Sequence, residues 1–306
     1  MPSANKPNIR IILAFAAIYI IWGTTYFAVL IGIKTIPPFI MGAIRYLIAG
    51  TAFLLYAVFN KENIFNNSVL KNILIGAIMQ TGGQAILFWS EKHISSGFTA
   101  ILVGTEPIWF ILLDKPQWKY CFHNKLILTG IAAGFIGIIV LFENLPGSSL
   151  QVQQSLQLIA SLVTLLSAVL WAGGSLYFKY HRTKGSLYLN LGWQLIGGVF
   201  SCVLVSLFTH EWFGFVFREI SVQSWLAVFY LAFAGSIIAF SCYNWLLTQK
   251  PAAIVGTYAY INPVIAVLVG SLLANEHIYI NQVLGMIIIL ISAYLINKAD
   301  TQANSV

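Results

Sequence analysis

The chain has 306 residues, of which 59% are hydrophobic and only 8% charged, where an ordinary soluble domain holds roughly 45–50% and 25%. That composition excludes a water-soluble globular domain. The formal charge of +7 does not indicate a nucleic-acid binder, because the basic residues are scattered through short loops instead of gathering on one face.

Lys6 and Arg10 precede an apolar run that carries "AFA" at Ala14 to Ala16, superficially a signal peptide. The run continues to Ile33, well past the roughly 7–15 residues of a signal core, so it reads as a first spanning helix. Apolar windows long enough to cross a ~30 Å hydrocarbon core then recur to the end of the chain. They predict ten helices: Ile11–Ile33, Pro38–Phe59, Val69–Ser90, Ser95–Leu113, Leu126–Phe142, Leu156–Phe178, Ser186–Leu207, Gln223–Leu247, Ala252–Leu273 and Gln282–Ile296. Barrel strands are excluded, since the runs are too long and do not alternate with period two. Cys121, Cys202 and Cys242 are too few and too widely spaced for a disulfide framework or a zinc site.

With the N-terminus inside, twelve Lys and Arg residues fall on the cytoplasmic side, and only Lys34, Lys92 and Arg218 fall outside. This positive-inside bias places both termini in the cytoplasm.

The second half of the chain echoes the first. "IIWGTTYF" matches "VLWAGGSLYF" through Trp22 and Trp171, an offset of 149. The stretch holding Trp89 and Pro107 matches the one holding Trp245 and Pro263 at an offset of 156, and "GIAAGFIGIIVLF" from Gly130 matches "GMIIILISAYLIN" from Gly285 at 155. Two five-helix repeats follow, residues 1–150 and 151–306. An odd number of spans per repeat turns the second upside down, a design in which carriers hold a site near the membrane midplane.

The "WGTTYF" of the first helix, the arginine in "MGAIRYLIAG", the mid-helix prolines of the fourth and ninth helices and "NEHIYINQVLGMIIILISAYLIN" resemble the EamA-like family of the drug/metabolite transporter superfamily. The resemblance covers nearly the whole chain. It implies a ten-helix carrier of the cell inner membrane, commonly an exporter of amino acids, metabolites or toxic compounds. The first half departs from the pattern at "DKPQWKYCFHN", where a short connection like the "NEHI" of the second half is expected.

Ionisable groups at membrane depth cost roughly 2.5–3.5 kcal/mol each, so they face a cavity or a partner. Arg45 and Glu106 are the two charges well inside helices. They sit about 10 Å and about 16 Å from the outer ends of helices that both run inward, within an arginine's reach of each other. Under the repeat offsets Arg45 corresponds to Gln194 and Glu106 to Asn262, and these four are expected to line or brace one polar region. A fixed Arg45–Glu106 ion pair, or an Arg45 that snorkels outward, is the alternative. Burial disfavours the charged form of Glu106 while a nearby Arg45 would favour it, a competition that suits proton coupling through Glu106.

Pro107 and Pro263 each remove a helical hydrogen bond, so kinks are expected at both, flanking Glu106 and Asn262. Gln80 and Gln84 share a face of the third helix, and Asn190, Trp193 and Gln194 share one of the seventh. Trp22, Trp89, Tyr243, Tyr258 and Tyr260 could build an aromatic wall, although Trp89, like Trp118, Trp212 and Trp225, also reads as an interfacial anchor. Gly130 and Gly134 form a GxxxG pair suited to close packing or to a homodimer contact.

No Walker loop, HExxH or GxSxG occurs in the sequence. The expectation is therefore a secondary transporter that needs no cofactor or metal and has as partners the bilayer and a small organic solute, not nucleic acid. A sugar or nucleotide-sugar exchanger would want several basic groups for phosphates, where this chain offers Arg45 alone. A channel would favour polar rings supplied by an oligomer, and an enzyme would need a catalytic constellation. Periplasmic-reporter fusions test the orientation: a reporter joined after Arg218 should be active and one joined after Lys61 inactive, and the reverse pattern would contradict the charge bias.

Overall fold

The computed structural model describes residues 9–94, 96–142, 154–181, 183–274 and 279–303. Lys6, Ser95, Arg182, the "NEHI" of residues 275–278 and the boundary between residues 150 and 151 lie outside the described residues. Among the described residues every regular element is helical.

Three unbroken helices open the chain: α1 (Ile9–Gly32), α2 (Pro38–Phe59) and α3 (Val69–Ser90). Two short helices follow, α4 (Ser96–Val103) and α5 (Glu106–Leu113), then α6 (Trp118–His123) and α7 (Lys125–Phe142). The second half comprises α8 (Gln154–Tyr180), α9 (Leu187–Phe208), α10 (Val222–Gln249), α11 (Ala252–Val255), α12 (Tyr258–Ala274) and α13 (Ile280–Ala303).

Eight of the described helices, counting α11 and α12 as one span, are long and apolar enough to cross a membrane. Where the sequence predicts a fourth helix kinked at Pro107, the chain breaks between α4 and α5. Where it predicts a simple entry into the fifth, the "DKPQWKYCFHN" stretch forms a 3₁₀ turn and α6, which meets the following helix at 91°. Pro116 explains part of that corner, because it sits in the first turn of the 3₁₀ segment and cannot extend α5.

Apolar faces alone do not hold helices together in lipid, so association depends on close backbone approach at small residues. Gly76 of α3 and Gly197 of α9 show this. A Cβ on Gly76 would lie 1.8 Å from Gln194 O, and one on Gly197 would lie 2.1 Å from Ile73 O. The main contacts cross between the halves: α2 packs on α9, α7 on α13, α1 on α10 and α12, and α8 on α3 and α5. Gly130 and Gly134 are used inside the chain, where added Cβ atoms would strike Ile296 and Tyr260.

Both α3 and α10 contain a nine-residue π-helical stretch, Ala77–Ala85 and Leu231–Ala239, related by an offset of 154. Such widened turns leave backbone groups without their usual partners and recur at functional sites. Gly197→Ala should destabilise the α3–α9 crossing by about 1–3 kcal/mol, read as a lower unfolding temperature in detergent, whereas Gly173→Ala, whose Cβ would meet nothing closer than Leu113 Cδ1 at 4.0 Å, leaves it unchanged.

Candidate functional site

The breaks in the two interrupted helices share one local sequence, Val-Gly-Thr, at residues 103–105 and 255–257. Their hydrogen bonds match group for group. Gly104 N–H bonds Ala100 O and Gly256 N–H bonds Ala252 O, both at 2.8 Å, while Thr105 and Thr257 turn back to the carbonyls three residues earlier. Each threonine hydroxyl also donates to that same carbonyl, Thr105 to Leu102 O (2.6 Å) and Thr257 to Ile254 O (2.7 Å). A β-hydroxyl that satisfies the local carbonyl competes with helix continuation, and glycine adds backbone freedom beside it. The helix therefore stops and restarts at each site.

Glu106 is the first residue after one break and Tyr258 the first after the other. The Tyr258 hydroxyl donates to Glu106 Oε2, so the two restarted helices meet through their opening side chains. Glu106 is 4% exposed, and its place in the first turn of α5 sets the carboxylate at the positive end of that helix. Pro107 occupies the same turn, where a missing N–H costs nothing. Pro263 lies inside α12, one turn beyond its break. The interruptions expected at the two prolines are thus found at the two Gly-Thr pairs. Asn262, with its amide nitrogen turned toward the carbonyls, donates to Tyr258 O (3.0 Å) and Tyr19 O (3.2 Å) and braces the start of α12 against α1.

Arg45 is 3% exposed. Its Nε donates to Ser236 Oγ (2.8 Å) in the π-helical stretch of α10, and its guanidinium lies 5.4 Å from the ring of Tyr46 and 6.0 Å from that of Phe88. Among the described residues no ion pair joins Arg45 to Glu106, and no second hydrogen bond holds the guanidinium, so both Nη groups remain available to the space it faces.

That space is a cavity of about 80 Å³, room for several water molecules at roughly 10–15 Å³ each. Trp22, Arg45, Gln84, Glu106, Tyr258 and Asn262 all line it. Gln80 and Gln194 do not. Gln80 Nε2 and both polar atoms of Gln194 are buried without a hydrogen bond among the described residues. The cavity extends along α1 from Trp22 to Val29 and along α3 from Gly83 to Glu91, toward the end of the bundle where α1 turns into α2.

Aromatic rings close the opposite side. Trp22 and Trp171 meet edge to face at 5.8 Å, and Tyr243 and Tyr258 complete the cluster, with Trp22 at 4.8 Å from Tyr258 and 5.1 Å from Tyr243. Such contacts prefer this tilted geometry. Trp22 Nε1 is fixed by Gly235 O (3.2 Å) and Tyr243 by Ser175 Oγ (2.7 Å). Trp89, against His93, and Tyr260, bonded to Ile131 O, lie elsewhere.

Sequence reasoning missed Glu91, Tyr26 and Trp171 as cavity residues. Trp171 had a signal in its pairing with Trp22. Glu91 reads as a loop residue because it directly follows the third apolar run, and only the packing turns it inward.

Fold and site together describe a helical membrane protein with an internal polar cavity. A family model of the EamA-like transporter family matches the chain twice, over residues 9–143 and 158–298. The chain belongs to this family and is a multi-pass protein of the cell inner membrane. It is 32% identical over 267 residues to the uncharacterized inner membrane transporter YedA of Escherichia coli strain K12, covering 86% of this chain and 82% of the relative. It is 25% identical over 291 residues to the uncharacterized transporter YoaV of Bacillus subtilis (92% and 94% covered), and 21% over 286 residues to a probable amino-acid metabolite efflux pump of Escherichia coli K12 (91% of each). A solved crystal structure shares the fold at a TM-score of 0.73, with 16% identity over 92% of this chain and 94% of that one.

Tyr258→Phe removes the hydroxyl that Glu106 accepts from and leaves a buried carboxyl unpaired, a loss of about 1–3 kcal/mol. Thermal unfolding of the variant should start at a lower temperature than that of the parent protein.

Proposed function

We propose that the protein is a secondary-active exporter of small organic solutes, among them amino acids, metabolites or amphiphilic toxic compounds. It works by alternating access of two inverted five-helix halves, residues 1–150 and 151–306, with ten spans in all. The observation that carries this reading is that Arg45 and Glu106 face one cavity without being paired to each other. A positive and a negative group so arranged fit the carboxylate and ammonium of a zwitterion, and the aromatic cluster beside them suits a cationic or apolar portion.

The two matches to the family model, the repeated Val-Gly-Thr breaks and the paired π-helical stretches support the two halves. So does the packing, since the main cross-half contacts have counterparts. The α1–α12 contact answers to α8–α5 and the α1–α10 contact to α8–α3, while α2–α9 and α7–α13 are each their own counterpart. The exposed apolar side chains of the spans are the surface that lipid would cover.

In the orientation set by the basic loops, the cavity leads to the external face and the cytoplasmic side is shut. Two ties hold it closed: the Tyr180 hydroxyl donates to Asp114 Oδ1 (2.6 Å), and Lys179 Nζ donates to Lys250 O (2.9 Å). These link the end of α5 to the end of α8, and α8 to the turn between α10 and α11. Opening inward requires breaking both.

Glu106 is the coupling residue of this cycle. A proton or a substrate ammonium arriving at its carboxylate competes with the Tyr258 hydroxyl, so occupancy of the site is felt at both helix breaks. In vesicles loaded with labelled amino acids, Glu106→Gln should transport at the same rate with and without a pH gradient. Transport by the variant that is still driven by the gradient would sink the coupling role.

A further inference from the structure

The cavity holds a second carboxyl that this cycle does not use. Glu91 follows the last residue of α3, and its N–H bonds Leu87 O (2.9 Å), so the helical turn continues through it. The residue as a whole is partly exposed, yet its Oε2 is sealed from solvent and accepts no hydrogen bond among the described residues. It lines the same cavity as Glu106.

Around that wall stand Tyr26 from α1, Arg45 from α2, Gln84 from α3 and Glu106 from α5, with Lys92 and His93 in the turn that follows. Among the described residues no ion pair joins Glu91 to Arg45, Lys92 or His93. Tyr26 is within electrostatic reach of both Glu91 and Glu106. An ionised carboxylate with a sealed, unpaired oxygen is costly, so the group holds a proton unless a cation takes its place. Burial pushes the Glu91 carboxyl up to about 8, which makes it neutral below that pH and charged above it, close to the physiological range.

We propose that Glu91 is a proton-loading site at the mouth of the cavity and that it forms a two-carboxyl relay with Glu106. The O–H bond of protonated Glu91 breaks, and the proton passes to a carboxylate oxygen of Glu106, where a new O–H bond forms. Either cavity water carries it, or the Tyr26 hydroxyl accepts it and releases its own. Glu91 is left as an anion and is reloaded from the external medium. The relay's purpose rests on the transport reading above, but proton binding by Glu91 does not.

The test uses the full chain in detergent micelles and the proton itself as the probe, followed through the carboxyl stretch in infrared difference spectra between pH 6 and pH 9. The parent protein should show buried-carboxyl absorption that titrates between pH 6 and pH 9, of which Glu91→Gln removes one component while Glu106→Gln leaves that component in place. Glu91→Asp should keep a band, shifted in midpoint, which separates loss of the proton site from loss of the fold. A Glu91→Gln spectrum unchanged from the parent would overturn the proposal. In vesicles with a pH gradient, the relay predicts that Glu91→Gln transports with a displaced pH optimum, and an unaltered pH profile would overturn the relay. A Glu106→Gln variant that keeps its pH drive while the Glu91 band persists would refute the coupling reading and leave the proton site standing.

Discussion

The structure turns on one hydrogen bond, donated by Tyr258 to Glu106. Each partner is the first residue of a helix that has just been interrupted, and each interruption is built from the same three residues. A buried carboxylate needs a donor, and a broken helix in lipid needs its freed groups enclosed by protein. Both needs are met in one place. The breaks bring the two halves' irregular backbone into contact, and the acid that would otherwise be stranded there is held by the opposite half.

The surrounding architecture follows from keeping that junction enclosed. Trp22 and Trp171 pack against each other and against Tyr243 and Tyr258, forming an aromatic floor beneath Glu106. Arg45 is drawn to the other side of the cavity by Ser236 and by the close approach of its guanidinium to the α10 backbone, where a Cβ on Gly235 would lie 3.0 Å from Nη2. Separate anchors keep the arginine and the glutamate apart. That separation leaves both groups facing the cavity, where a direct ion pair would satisfy each against the other.

Much of this was legible in the sequence. Apolar length located the eight spans found among the described residues to within a few residues, because in lipid the hydrocarbon thickness dictates helix length whatever the packing. Arg45 and Glu106 stood out for the same reason, since charges at that depth must face something, while Asn262 followed from the repeat offset and Tyr258 from the grouping of aromatic residues. Less legible was where symmetry-related residues sit. Matching Pro107 to Pro263 aligned Glu106 with Asn262, whereas the hydrogen-bond pattern at the breaks aligns it with Tyr258, one helical turn away. A linear offset cannot register a turn gained or lost within a half. Gln194, paired to Arg45 by offset alone, lies in α9 away from the cavity wall for a related reason: equivalence in sequence fixes a position on a helix, and the neighbours decide which face looks inward. Glu91 and the Ser236 anchor of Arg45 depend entirely on tertiary packing.

The central claim is that one site is reached alternately from the two membrane faces. Val29 and Val103 line the cavity that leads to one face, while Val255, the counterpart of Val103 in the second Val-Gly-Thr break, is fully buried. The direct measurement replaces the three native cysteines, places cysteines at positions 29 and 255 of one chain, and attaches a bulky impermeant maleimide to position 29 from outside. Alternating access predicts that labelling of position 255 from the cytoplasmic side then slows sharply, because a wedged outer cavity holds the inner side shut. Labelling at position 255 that proceeds at its original rate would contradict the account.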